Sequence, residues 1–171
     1  IPTKEPVVEE MDIKSLEAER DSLIGSARTV LMAAPGNAAL PEMGVTPFVR
    51  HDGATYIYPS RLSAHVRAIL ESGEGAFLFI EDENAAQNIW ARKRIKINAH
   101  ITEIERKLDI FETVCDLFSD RHGPTMSLIR DFTDFHLLRL HPTDGVMVLG
   151  FAKAYRLSGP ELAVSEHLRS S

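Results

Sequence analysis

The chain has 171 residues, a formal net charge of −6 and 26% charged residues, which is an ordinary composition for a soluble single-domain protein. The negative charge argues against a general nucleic-acid binder, because such proteins carry a basic face. No apolar run approaches the ~20 residues that a membrane span needs. A single cysteine excludes an intrachain disulfide and suits a cytoplasmic protein. We expect one domain over residues 1–171, in which residues 1–10 form a loose arm without the apolar block of a signal peptide.

Hydrophobic periodicity and turn signals predict the elements of the first half of the chain. They are a helix at Asp12–Ser26, strands at Arg28–Ala34, Gly44–Arg50 and Ala54–Tyr58, and a helix at Leu62–Leu70. The sequence HDG at His51–Gly53 predicts a hairpin turn between the second and third of these strands.

Strands also dominate the second half. The segment Ala76–Ile80, AFLFI, is apolar throughout, which predicts a strand that is buried on both faces. Arg92–Glu105 alternates strictly, so that Ile95, Ile97, Ala99 and Ile101 share one face, and Arg92, Arg94, Lys96, Asn98, His100 and Thr102 share the other. The other predicted elements are helices at Lys107–Phe118 and Thr125–Phe132, strands at Phe135–Leu140 and Gly145–Gly150 around a turn at His141–Gly145, a strand or bulged extension at Phe151–Leu157, and a helix at Pro160–His167.

This count of short strands with inserted helices predicts a mainly β fold of the α+β class. Because the pattern has no regular βαβ alternation, the strands should form an antiparallel barrel or sheet with helices at its ends. No glycine-rich turn follows a strand and opens a helix, which argues against a Rossmann fold.

The segment Thr55–Arg67, TYIYPSRLSAHVR, ends a predicted strand, starts a predicted helix and is rich in hydroxyls and cations. If the helix begins near Ser60, the Ser60 hydroxyl and the N–H groups after it would bind a phosphate-like anion. Other candidate ligands in the segment are Arg61, Ser63, His65 and Arg67. The same spacing fits a Ser60 helix cap followed by a solvated amphipathic helix, and spacing alone favours that second interpretation.

The run Ala91–Arg94, ARKR, opens the alternating strand and places Arg92, Arg94 and Lys96 on one face. Three cations on one strand face repel one another unless solvent separates them or an anion gathers them. The run therefore fits either a second set of phosphate or carboxylate ligands or a solvated edge strand that resists aggregation.

The seven histidines show no metal-binding spacing, and neither HExxH nor paired cysteine ligands occur, so we expect no structural zinc. Cys115 lies in the apolar helical pattern IFETVCDLF, which indicates a core thiol rather than a nucleophile. There is also no GxSxG elbow. Spacing alone assigns no catalytic residue.

Three longer segments together resemble a known family. They are TPFVRHDGATYIYPSRLSAHVRAILESG at 46–73, QNIWARKRIKINA at 87–99 and DFHLLRLHPTDGVMVLGFAKAYRLSG at 134–159. They resemble the split-barrel flavin-binding superfamily related to pyridoxamine 5′-phosphate oxidase, and within it the haem-utilisation subgroup of the HugZ/HutZ type. The resemblance covers Ile13–His167. Its most specific pieces are ARKR before an alternating strand and GFAKAY before SG.

This resemblance implies a six-stranded antiparallel FMN-binding split barrel of Greek-key type, which forms a homodimer with two ligand sites at its interface. In flavin-binding members, the strand matching Val45–Phe48 runs along the flavin ring, and the corner matching Tyr58–Ser60 with the following helix start holds the phosphate. The oxidase has arginine and lysine at the positions of Ala64 and His65. The implied FMN-binding residues are Val45, Thr46, Pro47, Phe48, Tyr58, Pro59, Ser60, Ser63, His65, Arg92 and Arg94.

In the haem-degrading members, haem binds at the same interface. The resemblance implies that an acid at the position of Asp134 tunes an axial histidine near the C-terminus of the other chain. In this sequence His167 is the candidate for that histidine.

The sequence thus predicts an FMN-binding flavoprotein that acts as an oxidoreductase on a small molecule or with an electron partner. The alternatives are a haem-binding or haem-degrading protein and a flavin or haem carrier without turnover. Neither nucleic acid nor a membrane is expected as a partner.

Overall fold

The computed structural model describes residues 10–37 and 40–169, with no side-chain description for residues 10 and 11. The predicted loose arm therefore lies outside the described residues, except that residue 10 begins the first helix. Within the described part of the chain, no helix is long and apolar enough to cross a membrane.

The described residues form eight strands and four α-helices. The helices are α1 (Glu10–Ser26), α2 (Ala64–Ser72), α3 (Asp109–His122) and α4 (Thr125–Ile129). The strands are β1 (Thr29–Pro35), β2 (Pro41–His51), β3 (Ala54–Ile57), β4 (Glu74–Ile80), β5 (Arg94–Glu103), β6 (Leu138–Gly150), β7 (Lys153–Ser158) and β8 (Ala163–Leu168). Two short 3-10 turns, at Glu83–Ala85 and Ile89–Ala91, join β4 to β5.

Six strands close into an antiparallel barrel. Their order is β3-β2-β1-β4-β5-β6, and pairing between β3 and β6 completes the ring. The remaining two strands, β7 and β8, extend the sheet beyond β6. The predicted six-stranded split barrel of the α+β class is thereby confirmed.

Two apolar clusters position the helices. The first fills the barrel and includes Ile57, Phe77 and Ile95, and the C-terminal turn of α1 packs on it. The second lies outside the barrel, where α3 and α4 cover the buried side chains of β3. Cys115 belongs to this second cluster, and burial raises the pKa of its thiol to about 11, in keeping with the predicted core thiol.

The predicted hairpin at HDG is present, since Asp52 and Gly53 join β2 to β3 with φ of 49° and 77°. Positive φ at both central residues gives the turn a twist that matches the flanking strands. The alternation predicted for β5 is present as well, with Ile95, Ile97 and Ala99 buried.

The prediction of two strands around a turn at His141–Gly145 was wrong, because β6 runs unbroken from Leu138 to Gly150. On one side β6 pairs with β5 along its length, with a bulge opposite Asn98 and Ala99. On its other side it pairs first with β3, up to Leu140, and then with β7, from Asp144. Pro142 lies between the two partners, where the proline nitrogen has no hydrogen bond to donate.

The helix predicted at Pro160–His167 was also wrong, since this segment forms β8. Leu162 and Val164 are buried while Ala163 and Ser165 are exposed, which is the period of a strand. The segment is part of a hairpin with β7 and has no core of its own to bury a helix face.

The prediction that β4 is buried on both faces was wrong too. Phe77 and Phe79 point into the barrel, whereas Ala76, Leu78 and Ile80 are only half-buried on the outer face. The outer face of β4 is therefore apolar and partly exposed to solvent in the single chain.

Candidate functional site

A pocket of about 400 Å³ opens where β2, the β3–α2 corner and the two helices α3 and α4 meet. We call it the corner pocket. Its lining residues are Val45, Thr46, Pro47, Tyr58, Pro59, Ser60, Ser63, His65, Val66, Phe118, His122, Gly123, Thr125, Met126, Ile129 and Phe135. The structure thus brings eight of the eleven residues predicted for FMN into one pocket.

One wall of the corner pocket is apolar. It consists of Phe118, Met126, Ile129 and Phe135, which come from α3, α4 and the loop before β6. The buried Tyr58 ring lies 5.4 Å from the Phe135 ring, and its hydroxyl donates to the carbonyl of Arg130 at 2.9 Å. Burial raises the pKa of the Tyr58 phenol, so it remains a neutral donor. Such a wall suits a flat apolar ligand.

His65 lies on the opposite side, against the backbone of β2. A Cβ added at Gly44 would overlap the His65 ring. The imidazole therefore fits against β2 only because Gly44 has no side chain. Burial lowers the pKa of His65, against a weaker opposing effect of Glu42. The imidazole is therefore neutral at pH 7 and keeps one nitrogen lone pair for a metal or a hydrogen-bond donor.

The polar end of the pocket is the β3–α2 corner. The condition for an anion site at Ser60, a helix that begins near this residue, is not met, because α2 begins at Ala64 and its N-cap is Ser63. Ser60 Oγ donates to Asp134 Oδ2 at 2.6 Å and accepts from the Leu62 N–H at 3.2 Å. Ser63 makes no capping hydrogen bond with its side chain, so its hydroxyl can serve a ligand.

The cations of the corner point elsewhere. Arg67 donates to the carbonyls of Arg61 and Leu62, both at 2.9 Å, and so closes the turn before α2. Arg61 is exposed to solvent and does not line the corner pocket.

Three predicted FMN residues do not line the corner pocket. Phe48 is 2% exposed and belongs to the barrel core. Arg92 donates to the carbonyl of Glu81 through Nε at 3.0 Å, and Arg94 donates to the carbonyl of Arg92 at 2.9 Å. Both arginines therefore hold the connection between β4 and β5, an interpretation that the sequence pattern had not suggested.

Asp134 and His167 lie in different parts of the chain. Asp134 is bonded to the corner through Ser60, whereas His167 lies in the β7–β8 hairpin. There His167 Nε2 hydrogen-bonds the carbonyl of Ala152 at 2.7 Å, and the ring stacks on Tyr155 at 4.8 Å.

Sequence reasoning missed the wall that α3 and α4 contribute, including His122. His122 Nε2 donates to the carbonyl of Phe48 at 2.8 Å. The signal for His122 in the sequence is the run RHGP at Arg121–Pro124, where glycine and proline end a helix directly after a histidine. In residues 10–37 and 40–169, no group of three or more histidine, cysteine or acidic side chains could hold a bare metal ion.

Comparison with known proteins gives a consistent set of relatives. No family model matches the chain. It is 29% identical over 159 residues to the haem oxygenase HutZ of Vibrio cholerae, an alignment that covers 93% of this chain and 86% of the relative. A crystal structure of that protein, described as a haem storage protein, superposes with a TM-score of 0.70 at 25% identity, over 85% of this chain and 98% of the other.

Two further structures extend the comparison. ChuZ of Campylobacter jejuni has a TM-score of 0.81 at 27% identity, over 91% of this chain, which spans only 63% of the length of ChuZ. A putative pyridoxamine 5′-phosphate oxidase from Listeria innocua shares the fold, with a TM-score of 0.58 at 11% identity, over 77% of this chain and 97% of the other.

Proposed function

Because this chain belongs to the split-barrel superfamily related to pyridoxamine 5′-phosphate oxidase, we propose that its corner pocket binds haem and that the protein stores or degrades haem. The similarity to HutZ, described once as a haem oxygenase and once as a haem storage protein, supports this proposal. The haem alternative of the sequence analysis therefore takes precedence over an FMN oxidoreductase.

One observation favours haem over FMN as the ligand of the corner pocket. Asp134 places a carboxylate oxygen 2.6 Å from Ser60 Oγ, at the corner where an FMN phosphate would bind. A carboxylate there repels a phosphate dianion. It also accepts the hydrogen bond that the Ser60 hydroxyl would otherwise donate to the phosphate. The oxidase's two cations are replaced by Ala64 and a neutral His65, and Arg67 is bonded to backbone carbonyls. The corner therefore disfavours a phosphate.

The residues present do fit haem. Haem needs apolar contact for the macrocycle, a nitrogen for the iron and donors for its two propionates. The wall around Phe135 supplies the first and neutral His65 the second. When bound, haem supplies an iron centre that binds oxygen and exchanges electrons. The lack of a side chain at Gly44 would hold the His65 ring in one orientation, and His65 would be the residue that supplies a nitrogen to the iron.

The propionates would meet the start of α2. The first N–H groups of a helix have no partner within the helix, and the positive end of its dipole attracts carboxylates. Ser63 Oγ adds a donor there. Each propionate carries a single negative charge, so the charge that it presents to one donor group is smaller than that of a phosphate dianion.

We also propose that a second copy of this chain covers the outer face of the sheet. Met43 and Val45 are 67% and 60% exposed on β2, and their neighbours across the sheet are apolar too. The half-buried members of this outer face are Leu31, Ala33, Ala76, Leu78, Ile80, Val146 and Val148. Because Val45 belongs to both the outer face and the corner pocket, a second copy would close the pocket from that side.

A charge on the outer face should separate the two copies. Met43→Asp is expected to give a monomer in sedimentation velocity, because an aspartate buried against an apolar surface is costly. Leu128→Asp is the matched control, since Leu128 is 65% exposed on α4, away from this face. A wild-type chain that sediments as a monomer, or a Met43→Asp variant that stays dimeric, would contradict the proposed dimer.

FMN is the second candidate, and one observation favours it. The unpaired side chain of the Ser63 N-cap and the N-terminus of the nine-residue α2 form an arrangement that binds anions in general. In that case the protein would be a flavoprotein oxidoreductase, with the flavin supplying the electron chemistry.

Haem titration tests the proposed function. Adding haemin to the purified chain is expected to produce a sharp Soret band, and His65→Ala should change the band and weaken binding. If His167 of a second copy is the iron ligand instead, His167→Ala should change the Soret band and His65→Ala should leave it unaltered. A chain that gives no Soret band in any variant does not bind haem.

A further inference from the structure

Arg106 lies in the connection between β5 and α3, and its guanidinium gathers oxygens from distant parts of the chain. It donates to the carbonyls of Arg130 at 2.6 Å, Phe132 at 2.6 Å and Phe135 at 3.0 Å, and to the hydroxyl of Tyr58 at 3.2 Å. It also lies over the Phe111 ring, 5.0 Å from its centroid. One side chain therefore fixes both ends of the loop between α4 and β6.

That loop carries Asp134. Its backbone is tied to the β3–α2 corner on the other side: the Arg61 N–H donates to the carbonyl of Asp134 at 2.8 Å, and the His136 N–H donates to the carbonyl of Pro59 at 2.9 Å. The Asp134 carboxylate completes the link through Ser60. Asp134 thus sits between the corner and the segment that Arg106 holds.

We infer that Arg106 is a positioning residue, which sets the Asp134 carboxylate against Ser60 and fixes the wall formed by Phe135 and Tyr58. What this means for haem rests on the proposed function, whereas the positioning itself concerns the ligand-free chain. None of the motifs in the sequence pointed to Arg106, because its partners are 24 to 48 residues away along the chain.

The chemistry explains why an arginine stands here. The loop forms neither helix nor strand between α4 and β6, so its carbonyls need donors from a side chain. A guanidinium presents five N–H donors in a planar fork, whereas a lysine ammonium is a compact charge on a flexible stem. A lysine at this position keeps the charge and cannot span all the carbonyls at once.

Amide hydrogen exchange in the ligand-free chain tests the positioning directly. In Arg106→Lys, the Arg61 amide, which is bonded to the Asp134 carbonyl, is expected to exchange about tenfold faster, because the loop opens locally. The Ile97 amide in the barrel should keep its rate. Arg121→Lys is the matched control, since Arg121 also donates to backbone carbonyls, those of Gly25 and Ala27, away from the pocket.

Haem affinity tests the functional part in a double-mutant cycle. Arg106→Lys should weaken haem binding about tenfold, as changes in groups that orient metal-site residues do. In an Asp134→Asn background the same change should cost less affinity, because the part of its effect that passes through Asp134 is already lost and only the part that passes through the wall of Phe135 and Tyr58 remains. A merely structural role would lower affinity equally in both backgrounds.

Different results would overturn the proposed function and the positioning role of Arg106. A wild-type chain without haem affinity would overturn the proposed function and leave the exchange experiment to decide the positioning. An unchanged Arg61 exchange rate in Arg106→Lys and Arg106→Gln would overturn the inference itself. Global unfolding of both variants would overturn it as well, since Arg106 would then be a requirement of the whole fold.

Discussion

Replacing Gly145 with alanine is expected to lower the free energy of unfolding by about 3 kcal/mol, the size of a severe overpacking of a core. Gly145 lies in β6, where a Cβ would stand 2.6 Å from the carbonyl oxygen of Lys96 and 3.1 Å from Ile97 Cγ2. The first of these atoms belongs to the backbone of β5 and cannot move without breaking the pairing of the two strands. Denaturant unfolding monitored by circular dichroism measures the change.

Gly150 provides the control in the same strand. A Cβ there would meet only Lys153 Cδ, at 3.4 Å, which is ordinary contact. Gly150→Ala should therefore change the free energy of unfolding by less than about 1 kcal/mol. Equal losses in the two variants would show that the close approach of β5 and β6 at Gly145 is not as described.

Replacing Gly44 with alanine is expected to weaken haem binding by about 10- to 100-fold, as the loss of a metal ligand's supporting contacts does. The added Cβ would overlap the far end of the His65 ring, which can swing away more easily than a backbone can. Stability should therefore fall by only about 1 kcal/mol. Isothermal titration or Soret absorbance gives the affinity, and thermal unfolding gives the stability.

Two controls separate displacement of His65 from other effects. Gly25→Ala adds a methyl group where nothing lies within 4 Å, so it should leave haem affinity unchanged. In a His65→Ala background, Gly44→Ala should cause no further loss of affinity, because there is no ring left to displace. Equal losses with and without His65 would mean that Gly44 acts by another route.

Local patterns predicted most of the barrel. The alternation of Ile95, Ile97 and Ala99 predicted β5, and HDG predicted the hairpin at Asp52, because both depend on neighbours along the chain. The prediction failed where pairing with residues far away along the chain determines the secondary structure. Pro142 and Gly145 look like a turn, yet pairing with β5 keeps β6 extended through both.

The candidate site was predictable to a similar degree. The composition of the β3–α2 corner singled out Ser60 and His65, the family resemblance implied Pro47, and all three line the corner pocket. The wall of α3 and α4 was not found, because only tertiary packing brings Phe118 to the corner. For the ARKR arginines the sequence pattern left two interpretations open, because a pattern of charges does not reveal backbone carbonyls as partners.

The most direct test of the central claim offers both ligands at once. The purified chain is incubated with equal amounts of haemin and FMN, separated from free ligand by gel filtration, and its absorbance spectrum is recorded. The corner with Asp134 beside Ser60 predicts a Soret band and no bound flavin. Flavin bands without a Soret band, or a spectrum with neither, would contradict the proposal that the corner pocket binds haem.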